Sequence, residues 1–493
     1  MAKKAIVIGA GFSGMSAATS LAQQGYQVTV LEKHNQPGGR ARKFEAQGYT
    51  FDMGPSWYWM PDVFEKYFAR FGKKVSDFYT LKRLDPSYTV CWGKNDFSDI
   101  PADIEELKNL FDSKDPGSGK RLQKFLDEAA YKYEVGVNKL VYKPGRSLLE
   151  FADLDLLKGL LKLDVFKSLS AHARKVTKHP QLIQILEFPV LFLGARPKNT
   201  PALYSLMNYA DMVLGTWYPA EGGMFEIVKA MHQVAIEQGV SFEFSTPVNR
   251  FEFDSGKITK IHAADKVFEA DVIISSADYH YTETKLLPTK YQSYSSKYWD
   301  SRVMAPSSLL YYLGVKKKLP KFSHHTLFFD QAFDQHAHEI YTDPSWPTNP
   351  LFYVSVTTQT DVSGAPDGCE NVFLLIPVAA GLEDTSEVRE QYFNKIMDRL
   401  ESHTGEEIRP FIEFRRDYAY HDFVNDYGAF KGNAYGLANT LMQTAILKPS
   451  CKSKKLSNLF YTGQLTVPGP GVPPALISGQ VVASEVAKLF PLV

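Results

Sequence analysis

Gly9, Gly11 and Gly14 stand in G-x-G-x-x-G spacing within Gly9-Ala10-Gly11-Phe12-Ser13-Gly14, and an acid, Glu32, follows downstream. These residue types suit a dinucleotide. Gly9 permits a tight turn, Gly11 lets a pyrophosphate approach the backbone, and Gly14 lets a helix pack closely on a strand. Glu32 can accept hydrogen bonds from ribose hydroxyls, and its charge repels a 2′-phosphate. Lys33 then leads into a second glycine turn, Gln36-Pro37-Gly38-Gly39-Arg40, where Gly39 and the Arg40 guanidinium can serve another phosphate. An NAD dehydrogenase would continue into its next β-α unit at this point, so the pair of turns points to FAD.

The elements that must hold these residues are legible around them. Ala5-Ile6-Val7-Ile8 reads as a buried strand, Met15 to Gln24 as an Ala-rich helix ended by Gly25, and Val28-Thr29-Val30-Leu31 as a second strand running into Glu32. The helix N-terminus offers free N–H groups and partial positive charge. A lone glycine motif also occurs in turns that bind nothing. Here the strand, turn, helix, strand and acid occur together, and an unliganded turn would leave Glu32 unexplained.

Other segments carry the same chemistry. Gly54-Pro55-Ser56 provides a close backbone approach held rigid by proline, as a flat heterocycle would require. Near the other end, Asn458 to Gln464 reads as a short strand ending at Gly463 and Gln464. The loop Pro468-Gly469-Pro470-Gly471-Val472-Pro473-Pro474 follows, then a helix from Ala475 to Leu489. A strand, a glycine turn and another helix N-terminus, including Val472 and Pro473, suit a ribityl chain or pyrimidine edge, so the cofactor site should draw on both chain ends.

The stretch from Glu32 to Arg42 resembles the flavin-binding segment of the superfamily that contains amine oxidases, protoporphyrinogen oxidase, carotenoid desaturases and Rab GDP-dissociation inhibitors. The C-terminal strand and Pro-Gly-x-Gly-x-Pro loop resemble the signature of bacterial and fungal phytoene desaturases. Leu465-Thr466-Val467 departs from the Gly-Thr-His of many members, so no role of that histidine carries over. The resemblance continues through Gly215 to Met224, Thr246-Pro247-Val248, Asp271 to Asp278, Asp361 to Cys369 and Asn433 to Gly436, and so spans Lys4 to Ala487. It implies an α/β fold: a Rossmann-like FAD-binding domain (1–80, 216–282 and 426–493) completed by the C-terminus, with an inserted mixed α+β substrate domain (81–215 and 283–425). It further implies that Gly54-Pro55-Ser56 passes beside the flavin ring and that Val248 is the backbone partner of adenine.

Trp57, Tyr58, Trp59, Phe188, Phe192, Tyr204, Trp217, Tyr218, Tyr311 and Tyr312, from the substrate segments and the stretches beside them, are candidate walls for a long apolar polyene, although aromatics more often serve as plain core. The implied reaction is desaturation, of phytoene first or of a later, hydroxylated or partly unsaturated carotenoid. Hydride would pass from an allylic carbon to flavin N5, followed by proton loss to a base that the sequence does not identify. Oxygen or a quinone would reoxidise the flavin. The rival functions are a flavin amine oxidase and a non-enzymatic lipid-binding escort.

Lys+Arg 55 against Asp+Glu 55 leaves no nucleic-acid footprint. Cys91, Cys369 and Cys451 lack metal-ligand spacing and read as reduced thiols. A strand starting near Lys4 leaves no room for an export leader, and no uninterrupted apolar run is long enough to span a bilayer. Leu148 to Val176 mixes Leu with Lys158, Lys162, Lys167, Arg174 and Lys175, as a basic amphipathic helix would. The expectation is a cytoplasmic protein lying peripherally on the inner face of a membrane.

Overall fold

A computed structural model describes residues 2–147, 150, 164, 167–194 and 196–492. Most of the basic stretch from Leu148, including Lys158 and Lys162, lies outside the described residues, whereas its end forms the helix Leu169–Val176.

A five-stranded parallel sheet organises the nucleotide half. Its order is Leu459–Tyr461, Val272–Ser275, Lys4–Ile8, Gln27–Leu31 and Ser241–Glu243. Parallel strands covered on both faces read as continuous apolar runs. Ala5 and Val7 accordingly face the core beneath helices Phe12–Gln23, Phe225–Glu237 and Val472–Leu489, while Ile6 and Ile8 face a second core shared with the antiparallel sheet Val248–Asp254, Lys257–Ala263 and Lys266–Phe268. The first strand and the last therefore lie in one sheet, one strand apart.

Two helix starts differ from the sequence reading. The first helix begins at Phe12 rather than Met15, so Ser13 and Gly14 lie inside it. A Cβ on Gly14 would stand 2.0 Å from the Gly9 carbonyl oxygen, which is why glycine occupies a helical position there. The last helix begins at Val472 rather than Ala475. Pro473 and Pro474 sit in its first turn, where the missing N–H groups have no intrahelical partner to lose.

The other half is a seven-stranded sheet in the order Ile412–Tyr418, Ser307–Val315, Glu370–Val378, Phe352–Val356, His325–Phe328, Tyr88–Gly93 and Asp96–Ile100. Strand Ser307–Val315 is buried throughout and alternates its side chains between two cores. Leu309, Tyr311 and Leu313 pack toward helix Ser386–Thr404, whereas Leu310 and Tyr312 face the nucleotide half.

Candidate active site

One cavity of about 620 Å³ runs from the two glycine turns to the inner face of the seven-stranded sheet. At its polar end, Gly9 adopts φ +98° and its N–H donates to the Leu31 carbonyl at 2.8 Å. A Cβ on Gly11 would meet nothing within 4 Å, so its backbone faces open cavity, and a Cβ on Gly39 would stand 3.3 Å from the Gly11 Cα. The two turns thus touch each other, and the Gly38 N–H donates to the Ala10 carbonyl at 2.8 Å. Glu32 is buried and accepts the Ala10 N–H at 2.7 Å and the His34 N–H at 2.9 Å. A carboxylate has about four lone-pair sites, so acceptor capacity remains for hydroxyls in the cavity.

Helices Phe12–Gln23 and Val472–Leu489 both start on glycine, at Gly11 and Gly471, with no side-chain cap. Their first turns line the cavity with the positive ends of two helix dipoles; the first helix offers the N–H groups of Phe12 and Ser13, the last only that of Val472, since Pro473 and Pro474 carry none. They are locked together: Ser16 Oγ donates to the Leu476 carbonyl at 2.7 Å, and a Cβ on Gly479 would stand 2.3 Å from the Ser13 carbonyl oxygen. The Gly463 N–H and Thr462 Oγ1 each meet Ser478 Oγ at 3.0 Å, which ties the last strand to the last helix.

The cavity wall includes Gly9, Gly11, Phe12, Ser13, Glu32, Lys33, Gly39 and Arg40 from the N-terminal unit, and Gly54, Pro55 and Ser56 from the next turn. Val248, Gly463, Gln464, Val472 and Pro473 join them from distant parts of the chain. Ala10 and Gly14 are not on the wall. Ala10 orients Glu32 through its N–H, and Gly14 lies under the helix against Gly9. Lys33 Nζ is already engaged by the Asn425 carbonyl at 2.8 Å.

Arg40 lacks a full set of partners. Its Nη2 donates to the Asn433 carbonyl at 3.3 Å, its guanidinium lies over the Tyr427 ring at 4.9 Å, and Nε is buried with no hydrogen-bond partner among the described residues. Burial pulls its pKa down, opposed by the nearby Asp278 carboxyl, which burial in turn pushes up. An under-satisfied guanidinium beside two uncapped helix N-termini and an open glycine backbone fits a pyrophosphate, and Glu32 fits a ribose. The residues present are therefore suited to a flavin dinucleotide.

Beyond Ser56 the cavity becomes a tunnel with walls from the buried strands and their ends, among them Leu310, Leu327, Phe329, Phe352, Phe373 and Leu375. Of the aromatic candidates, Trp57, Trp59 and Phe188 line it. Tyr58, Tyr204, Trp217, Tyr218, Tyr311 and Tyr312 do not, and the side chain of Phe192 lies outside the described residues. Strand alternation turns Tyr311 away, where its hydroxyl donates to the Arg389 carbonyl at 2.7 Å. Tyr312 faces inward but donates to the Met53 carbonyl at 2.6 Å, bracing the turn before Gly54.

The sequence reading missed His336 on the tunnel wall. Its Nε2 donates to the Pro377 carbonyl at 2.8 Å and its Nδ1 accepts the Leu351 N–H at 3.1 Å, so both nitrogens are occupied. Burial holds it neutral, with its pKa lowered to about 4. It also missed the adjacent pair His324 and His325, behind Trp57. The sequence signal there is two successive histidines at the entry to a buried strand, His325–Phe328.

The profile of the family described as flavin containing amine oxidoreductase matches residues 12–487. A carotenoid 3,4-desaturase of Haloarcula japonica is 39% identical over 98% of this chain and 97% of its own length. A zeta-carotene-forming phytoene desaturase of Myxococcus xanthus is 29% identical over 98% of this chain and 93% of its own. The fold is also that of an oxidoreductase from Methanosarcina mazei, with a TM-score of 0.61 and 15% identity, covering 98% of this chain and 100% of the other. With residues 12–487 matched and near end-to-end similarity to such relatives, the chain belongs to the flavin containing amine oxidoreductase family, on its carotenoid-desaturase branch.

Proposed function

We propose that the protein is an FAD-dependent desaturase of acyclic carotenoids, with phytoene as its first substrate. The observation that carries the reading is the single cavity that joins a dinucleotide-type polar end to an apolar tunnel. FAD would be held by the two glycine turns, Glu32, Arg40 and the two helix N-termini. The segments 1–80, 216–282 and 426–493 would hold the cofactor, and 81–215 and 283–425 the polyene. Flavin, when bound, supplies a two-electron hydride acceptor at N5.

The chain's own contribution is position and exclusion. Gly54, Pro55 and Ser56 bring backbone to the junction of the two ends, and the apolar strand faces align one C–C bond while keeping bulk water out. A second reading, in which a later carotenoid is the substrate, is favoured by the higher identity to the Haloarcula japonica 3,4-desaturase. The amine-oxidase reading is weakened by the scarcity of polar groups in the tunnel. Cys451, a conceivable flavin attachment point, is buried away from the cavity wall.

Among the described residues no helix is long and apolar enough to cross a membrane. Peripheral contact and a quinone or oxygen acceptor remain part of the proposal, because an apolar substrate must be drawn from a bilayer. Expression in cells that accumulate phytoene, followed by pigment chromatography, tests the assignment. Neurosporene- or lycopene-like absorption supports it. Unchanged phytoene, with conversion of a later carotenoid supplied instead, replaces it with the second reading.

A further inference from the structure

We propose that Tyr353 and His325 form a proton-accepting pair on the tunnel wall, with the Tyr353 phenol oxygen taking the proton released during desaturation and His325 Nδ1 taking the phenol's own. The inference rests on the desaturase reading, which leaves a proton to be removed from a mostly apolar space. His336 has no free lone pair, and Asp278 sits at the dinucleotide end beside Arg40. Tyr353, by contrast, lies on the tunnel wall with its hydroxyl 2.6 Å from His325 Nδ1. Ser56, which also lines the cavity, interacts with the same phenol.

The pair is held from behind. Trp57 stacks on the His325 ring at 4.0 Å and 13°, fixing its plane. His324 meets His325 edge-on at 4.4 Å, and His324 Nδ1 lies 2.7 Å from Thr360 Oγ1, on a half-buried residue. On its other side His324 lies edge-on to Tyr218 at 4.4 Å, and Tyr218 lines a second, more polar cavity of about 230 Å³ behind the Gly54–Ser56 turn. His324 Nε2 and His325 Nε2 are both buried without a hydrogen-bond partner among the described residues. Two adjacent imidazoles, each with one nitrogen unpartnered, cost stability, and packing alone gives no return for it.

The step balances as follows. With hydride already given up to oxidised flavin, the C–H bond next to the cationic carbon breaks and its electron pair becomes the new C=C bond. The proton goes to the Tyr353 oxygen as the phenol's own proton moves to His325 Nδ1. His325 is left as the imidazolium, its ring held between Trp57 and His324. A C–H beside a carbocation is acidic enough for a weak base. Burial holds the His325 imidazole neutral in the resting protein, so one of its ring nitrogens is open to accept a proton.

The test uses full-length, FAD-loaded protein with a polyene in liposomes. Tyr353→Phe should slow desaturation about 100-fold with FAD content and KM unchanged, and should abolish the rate difference between H2O and D2O seen in the wild type. His325→Gln keeps an acceptor for the phenol but cannot take its proton. It should lose rate similarly, whereas a packing role would be rescued. In ¹⁵N-histidine spectra of the apoprotein, His325 should be the Nε2–H tautomer, released by Tyr353→Phe. An active wild type with either variant within about twofold of its rate, or His325 found as the Nδ1–H tautomer, overturns this inference alone. A wild type that desaturates no polyene overturns it together with the proposed function.

Discussion

Replacing Arg40 with methionine should move the stability of the cofactor-free protein and its affinity for FAD in opposite directions. In the chain alone, the guanidinium has a hydrogen bond at 3.3 Å to the Asn433 carbonyl, a second at 3.1 Å to Gln464 Oε1 once that amide is turned to suit its neighbours, a ring contact at 4.9 Å and a buried Nε without a partner among the described residues. A buried polar group left unmade costs about 1–3 kcal/mol. Methionine fills much of the same volume without that cost; Asp278 loses the Arg40 charge but keeps its hydrogen bonds from the Tyr281 N–H at 3.1 Å and the Phe430 N–H at 3.3 Å and, with burial already pushing its pKa up, takes a proton instead of standing as an unpaired charge. The apoprotein should therefore keep its melting temperature or gain slightly. A charge-assisted hydrogen bond to phosphate contributes about 1.5–3 kcal/mol, so its loss should weaken FAD binding roughly 10- to 150-fold. Titration of apoprotein with FAD, followed by flavin fluorescence, and thermal unfolding with and without FAD read the two quantities separately. If Arg40→Met lowered apoprotein stability and left the FAD dissociation constant unchanged, the guanidinium would be a structural tie to Asn433 and Tyr427, and the phosphate argument would fail.

Gly479→Ala should prise the first and last helices apart, since the new Cβ would stand 2.3 Å from the Ser13 carbonyl oxygen and 2.7 Å from the Ala17 nitrogen. Overpacking of this kind costs about 1–3 kcal/mol, and it should appear as a lower melting temperature and lower FAD content on purification; unchanged values for both would mean the helix crossing does not position the site. His336 has its pKa lowered by burial from 6.5 to about 4, so its contribution to stability is fully present above pH 6.5 and is lost as pH falls through 4. Urea midpoints across pH 7.5 to 4 should fall for the wild type by an amount that includes about 3 kcal/mol from this group, and His336→Gln, whose amide can still donate to the Pro377 carbonyl, should flatten that decline.

The nucleotide half was legible because its chemistry is carried by backbone, and backbone demands show in residue type. Gly9 at positive φ, Gly11 open to the cavity and Glu32 at the end of a strand have few substitutes, so their spacing alone located the polar end. The same logic brought in Gly54, Gly463 and Val472, although nothing local to those segments states that they share one space. The tunnel was less legible because its requirement is only apolar surface, which many residue types meet. Whether Leu310 or Tyr311 faces the polyene depends on the register of Ser307–Val315 against Glu370–Val378 and Ile412–Tyr418, and that register is set by strands far away in sequence. An aromatic count therefore selected Tyr311, which packs behind the sheet, and passed over Leu310, Leu327 and Leu375, which line the tunnel. Specificity among carotenoids must then lie less in any single aromatic residue than in which inward strand positions set the tunnel's length and bore.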